Sequence, residues 1–239
     1  MRLLPYVYHS LRLVRQLSSY YRIDQSHNDH HSREVLFWCN DLLRAERRTY
    51  PFSYIKIIAQ SSILHDMIDH KYSTDPSKIW DYLCAVNTPQ EAMVVMNIIS
   101  TMSYSKTLIN GRVQFPEWIQ KDKEYETAYH TVRQADLLSS YNLARMVEYR
   151  QARNMSEAMI RKEVVEMYED RMARLVENDL FVTDHARERA GQLDAISRLK
   201  LDAVAASPLD PAHLGFFRHV DYVDVEDVVR QMSQWIREE

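Results

Sequence analysis

Three glycines in 239 residues constrain the fold of this chain more than any other feature. A sheet protein of this length turns back on itself many times, and tight turns draw on glycine for backbone conformations that other residues resist. A chain so poor in glycine, and well supplied with Leu, Met, Ala, Arg and Glu, is predicted to be all-α, with helices joined by short loops. The same scarcity weighs against nucleotide-binding folds built on glycine-rich loops, and neither a P-loop nor a GxGxxG run occurs. Hydrophobic residues make up 46% and charged residues 27%, the balance of a chain that folds around a packed core.

The helical period recurs along the chain. Residues 1–21 bring Leu4, Val7, Leu11, Val14 and Leu17 to one face, and residues 31–47 do the same with Val35, Trp38, Leu42 and Leu43. Pro51 opens a third helix that carries Ile55, Ile58, Ala59, Ser62 and Ile63 toward His65. Asp75-Pro76 reads as a cap followed by a first-turn proline, and Thr88-Pro89-Gln90-Glu91 as a capping box. Asn110-Gly111 marks a turn. From about Asp122 to Ala152 there is neither glycine nor proline, which predicts one long helix with Asp136 in its middle. Ser156 is expected to cap a helix running to about Val176, Thr183 another to about Ala206, and Asp224 a last amphipathic one. The simplest partition is one helical bundle domain over residues 1–206, followed by a C-terminal extension over 207–239.

A net charge of −4 implies no extended nucleic-acid surface, although a small anion needs only a local basic pocket. The longest near-apolar stretch, AMVVMNII, is too short to cross a bilayer, and the opening segment MRLLPYVYHSLRLVRQ reads as an amphipathic helix and not as a secretion signal. Two cysteines, Cys39 and Cys84, make no disulfide framework. A cytoplasmic setting is expected, with no membrane partner and with room for a homo-oligomer.

The histidines are unevenly placed. His65-Asp66 closes the apolar run IIAQSSIL, where an imidazole and a carboxylate cost desolvation unless a cation or a hydrogen-bond network compensates them. Asp136 lies within VRQADLL, where by itself it reads as a solvent-facing carboxylate, with Arg133 one turn earlier as a candidate partner.

Taken together, SHNDHHSREV (26–35), ILHDMIDHK (63–71) and RQADLLSSYNLAR (133–145) resemble the ordered motifs of the HD-domain metal-dependent phosphohydrolase superfamily. The corresponding family pattern is S-H-D-x-x-H-x-x-R-V, then L-H-D-I-x-D-x-K, then D-A-D-R-L-D-A. The resemblance spans about residues 22–200, including EMYEDRMARL and ARERAGQLDAISRL. It implies an HD-type helical bundle in which His31, His65, Asp66 and Asp136 ligate one divalent ion. A mixed nitrogen and oxygen set of this kind suits Mn, Fe, Co, Ni, Zn or Mg.

The resemblance further implies hydrolysis of a phosphate ester or anhydride, most often of a nucleotide, by a metal-activated water. Asp69 then serves as general base or water-orienting group, and Lys71 holds phosphate. Each also reads as an ordinary polar residue near a helix end. Lys106 of Ser103-Tyr104-Ser105-Lys106, Arg145 and, less directly, Arg133 and His27 are further substrate-binding candidates. Three positions depart from the family pattern, namely Asn28, Glu34 and Ser139. They keep open a regulatory module that binds a nucleotide with weak or no turnover. A dinuclear HD-type oxygenase is a third reading, for which only His70 and His130 could supply extra ligands; His130, six residues before Asp136 on a helix, points away from it.

Overall fold

The computed structural model describes residues 2–24, 27–68, 75–206, 209, 211, 214 and 223–237. Among the described residues the chain is all-α apart from one two-stranded hairpin, and no helix is long and apolar enough to cross a membrane.

The helices run in the order α1 (Leu4–Tyr21), α2 (Asp29–Glu46), α3 (Phe52–Leu64), α4 (Pro76–Val86), α5 (Pro89–Thr101), α6 (Tyr104–Thr107), α7 (Glu117–Lys121), α8 (Glu126–Ser139), α9 (Leu143–Gln151), α10 (Glu157–Asp170), α11 (Asp184–Ala206) and α12 (Val225–Ser233). A 3-10 turn, His65–Ile68, continues α3. Start signals legible in the sequence are made by the side chains that carry them: Asp75 accepts from the Ser77 amide at 2.9 Å to cap α4, and Asp224 from the Glu226 amide at 3.0 Å to cap α12. Asn28, which the sequence did not mark as a cap, accepts from the His30 amide at 2.9 Å to start α2. Thr88 and Glu91 close the capping box of α5. With so few glycines, α1 and α2 end on arginines in the left-handed region, Arg22 (φ 54°) and Arg47 (φ 51°). Among the described residues, the one turn with two successive positive φ values uses Asn110 and Gly111, and it joins Leu108–Ile109 to Arg112–Val113.

The core is built on α2, α3 and α8, each packed against the other two. Helix α3 is buried almost all round, with Ile55, Ile57, Ile58, Ala59, Ile63 and Leu64 fully enclosed. It is covered by α1 on one side and α5 on another. One sequence expectation fails here. The stretch from Asp122 to Ala152 is not one helix: α8 ends at Ser139, and α9 starts at Leu143. The hydroxyls of Ser139 and Ser140 turn back onto the Asp136 carbonyl, at 2.7 and 3.2 Å, and compete for the acceptor that a continuing helix needs. Asn142 then adopts an extended conformation (φ −72°, ψ 96°) and redirects the chain. Asp136 therefore sits in the last turn of α8.

The C-terminal helix is part of the core. Val225, Val228, Val229 and Met232 of α12 are buried, and α12 packs on α1 and α2. Beyond it the chain pairs with Tyr50, whose amide donates to the Trp235 carbonyl and whose carbonyl accepts from the Arg237 amide, both at 2.7 Å. Deleting residues 224–239 removes those four side chains and uncovers the α1 and α2 surface they bury, and should cost on the order of 5 kcal/mol at ~1.5 kcal/mol or more apiece. Urea denaturation of the truncated chain checks this; an unchanged midpoint would show that α12 is dispensable to the core.

Candidate metal centre

Three helix ends meet at one point. His31 lies in the first turn of α2, His65 and Asp66 follow directly on α3, and Asp136 closes α8. The ends are held together by the backbone: Ser32, next to His31, donates its hydroxyl at 2.8 Å to the Ile63 carbonyl just before His65. The Nε2 atoms of His31 and His65 face each other at 3.0 Å. Asp136 Oδ1 lies 3.4 Å from the first and 3.5 Å from the second, and Asp66 Oδ2 lies 3.3 and 3.4 Å from them. One ligand atom each from His31, His65 and Asp136 falls within 4.8 Å of the others, a group that could hold a metal ion.

These separations test the fit of a cation. Ligand atoms ~2.1 Å from a small divalent ion stand about 3.0 Å apart at right angles and about 3.4 Å apart at the tetrahedral angle, and the observed spacings fall in that range. Orientation agrees as well. His65 donates Nδ1–H to the Ser62 carbonyl at 2.9 Å, which fixes its ring and leaves Nε2 facing the centre. Asp66 Oδ2 is buried beside both imidazoles and has no hydrogen-bond partner. A buried carboxylate oxygen without a donor is costly unless a cation completes it.

The two imidazoles of the cluster are driven in opposite directions. Burial and the neighbouring Arg145 guanidinium push the His31 imidazole down to about 3. Burial pulls His65 down too, but Asp66 and Asp136 outweigh it and hold His65 well above its ordinary value. The two carboxyls, pushed up by burial, are brought well below the usual range by the imidazoles at their sides.

Above the cluster opens a cleft of about 380 Å³, with His65, Asp66 and Asp136 at its floor and His27, Lys106, Arg145 and Arg171 in its walls. Arg145 reaches furthest in. Its Nη1 lies 2.9 Å from His31 Nε2, contacts His31 Nδ1, and donates to the Ser139 hydroxyl at 3.2 Å. The His27 ring stands 6.3 Å from that of His31. Lys106 borders the cleft while its ammonium donates to the Ser100 carbonyl at 2.6 Å, so in this arrangement it closes the end of α5. Asp69, His70 and Lys71 lie outside the described residues.

Two other candidates are placed elsewhere. Arg133 is fully buried over the Phe115 ring, 5.1 Å from its centroid, makes no hydrogen bond, and does not pair with Asp136. His130 packs against the same phenyl ring at 4.7 Å, where burial and then Arg133 push it down to about 3. It adds nothing to the cluster. Sequence reasoning missed Arg171. It sits at the C-terminus of α10, stacks 4.1 Å over Tyr104, and reaches the cleft with its Nε buried and unpartnered. The only signal was a basic residue in EMYEDRMARL, which nothing in that helix's own periodicity directs toward the centre.

The three departures from the family pattern occupy defined positions. Asn28 caps α2, and Ser139 meets Arg145. Glu34 is buried with its carboxylate accepting from the Asn142 amide group at 3.1 Å; burial, offset by the Arg145 charge, raises it to about 7. No family model matches the sequence, and neither a curated protein nor a solved structure matches the chain.

Because His65 is held protonated by its two carboxylates, a metal that ligates its Nε2 must displace that proton. At pH below the raised His65 value, apparent affinity for Mn²⁺ should climb about tenfold per pH unit, the mark of one displaced proton. Calorimetric titrations at several pH values measure this slope; a flat profile would mean that the imidazole is not a ligand.

Proposed function

We propose that this protein is an HD-type, metal-dependent phosphohydrolase that acts on a nucleotide or a related phosphate ester or anhydride. The observation that carries the reading is the convergence of two imidazole nitrogens and two carboxylate oxygens at ligand-like spacing beneath a cleft walled by arginines. His31, His65, Asp66 and Asp136 would hold one divalent cation. Such an ion lowers the pKa of a water molecule and withdraws charge from phosphorus.

The chain's own residues supply the rest. Arg145 and Arg171 carry the positive charge that an incoming phosphate meets, and a planar guanidinium fork matches phosphate oxygens in pairs. Arg145 has two roles that exclude each other. A neutral imidazole carries one proton, so His31 cannot accept from Arg145 at Nδ1 and also offer a lone pair at Nε2. A cation held at His31 Nε2 would therefore require Arg145 to leave Nδ1, and its guanidinium would be free to meet phosphate in the cleft. His27, whose ring stands 6.3 Å from that of His31, would give a proton to the leaving oxygen. Asp69 and Lys71 keep the roles the motif assigns them, general base and phosphate contact.

The departure at Glu34 favours a second reading, a nucleotide-binding module with weak turnover, since a carboxylate stands where the family pattern has arginine. Turnover on a panel of nucleotides and simple phosphate esters with Mn²⁺, Co²⁺, Ni²⁺ or Mg²⁺ separates the two readings.

Two substitutions test the assignment. Asp66→Ala should abolish both bound metal and hydrolysis while helical content by circular dichroism stays near wild type; metal retained at full occupancy would remove Asp66 from the ligand set. Arg145→Ala should raise KM by roughly 10- to 100-fold, the worth of one charged hydrogen bond to phosphate. It should leave metal affinity unchanged or tighter, because a competing cation is gone. A loss of metal in Arg145→Ala would contradict this role.

A further inference from the structure

Beside the phosphate cleft lies a second pocket of about 300 Å³. His27, Ser140, Arg145 and Arg171 belong to both, so the two spaces share a wall that carries two guanidiniums. The far side of the second pocket differs in kind. Met146, Met167, Met172 and Tyr149 form it, with Arg150 at its edge. Met146 and Met172 are buried, whereas Met167 is 36% exposed, an apolar side chain left open toward this space. Tyr149 is held in orientation by Arg153, whose guanidinium stacks 4.1 Å from the ring centroid. The His27 ring links the two spaces, 6.3 Å from His31 and 6.0 Å from Tyr149.

We infer that this methionine- and tyrosine-walled pocket takes a flat aromatic group carried by the phosphorylated substrate, with Tyr149 as the residue that selects for it. The inference rests on the phosphohydrolase reading. A phosphate gripped by Arg145 and Arg171 puts whatever it is attached to at the mouth of this pocket, because those two side chains line both spaces. The wall chemistry then chooses among attached groups. Thioethers and a phenol ring gain contact over the face of a π-system. A ring with polar edges, such as a nucleobase, also finds hydrogen-bond donors at the arginine rim. A bare sugar offers no π-face. An alkyl chain gains nothing from the guanidiniums around the opening. Arg150 does not compete for the ligand, since it is tied to Glu163 at 3.0 Å and to the Met146 carbonyl at 2.9 Å; it braces the wall.

The test compares ligands that share the phosphate and differ in the ring. Binding of adenosine 5′-monophosphate, thymidine 5′-monophosphate and ribose 5-phosphate to the Mn²⁺-loaded full chain is measured by calorimetry. The tighter nucleotide should bind at least about tenfold more strongly than ribose 5-phosphate, the size of one stacked base. Tyr149→Ala should collapse that ratio toward one while ribose 5-phosphate binds as before, and Tyr149→Phe should preserve it. Met167→Ala, at an exposed position that folding tolerates, should cut the ratio about threefold and guards against a Tyr149→Ala protein that does not fold. Equal binding of nucleotides and ribose 5-phosphate by the wild type, or a Tyr149→Ala protein that loses both ligands equally, overturns the base pocket while leaving the phosphate site standing. If none of the three ligands binds, the phosphate site itself fails, and the pocket reading falls with it.

Discussion

Two carboxylates and two imidazoles placed at the junction of three packed helices set the terms for the rest of the molecule. Charges of one sign cannot be stored in an interior without a counter-charge, and a half-satisfied polar cluster is worse than an apolar one. Here Asp66 and Asp136 bring two negative charges among side chains as apolar as Ile63, Leu64 and Leu137. The protein answers with a proton held on His65 and with the guanidinium of Arg145 against His31. Both are replaceable: the proton can leave and the arginine can turn. The same electrostatic demand that makes the cluster costly to fold is one that a metal ion could meet, since His31, His65 and Asp136 form a group that could hold one, with Asp66 Oδ2 buried 3.3 and 3.4 Å from the two imidazole nitrogens.

The break after α8 ties the helical scaffold to that chemistry. Had α8 run straight on, Arg145 would lie nine residues past Asp136 on a single rod, about 14 Å further along its axis. The backward turn of Ser139 and Ser140 onto the Asp136 carbonyl ends the helix, and Asn142, held by the buried Glu34, starts the next in a new direction. Arg145 is thereby brought over His31. Three residues that depart from the family pattern, or neighbour such a position, thus serve one purpose in this chain: Glu34 anchors Asn142, Ser139 both stops the helix and accepts from Arg145, and Asn28 orients the turn that carries His31. They read as a local set of mutually adjusted contacts and not as independent losses.

A cleft that joins cationic and apolar walls follows from how α9 and α10 meet. Arg145, Met146 and Tyr149 come from α9, while Met167 belongs to α10 and Arg171 and Met172 lie just beyond its end. Neither helix alone presents a surface with both characters. A ligand seated across the two spaces would touch both helices and the α2 end at once, so its binding reports on their relative placement.

Much of the scaffold was legible in the residues, because local physics decides it. Capping side chains fix helix starts by bonding amides two or three residues away, which is why Thr88, Ser156, Thr183 and Asp224 could be read as starts, and glycine scarcity fixes the all-α class by removing the turns that sheets require. The four ligand candidates were legible through their ordered motifs. What sequence could not supply was anything that depends on a partner far along the chain. The break at Ser140 looks, in sequence, like an unbroken helix, since serine and asparagine interrupt one only when an alternative bond is at hand. Arg171, just past the end of α10, and Arg133, on α8, are both arginines near Asp136 or its cleft; packing sent one to the cleft wall and the other against Phe115. Residue types and their local spacing determine which elements form and which side chains can do chemistry. Tertiary structure alone decided which of those side chains share a centre, because a charge is placed by the desolvation and partners it meets after packing, and those partners lie scores of residues away.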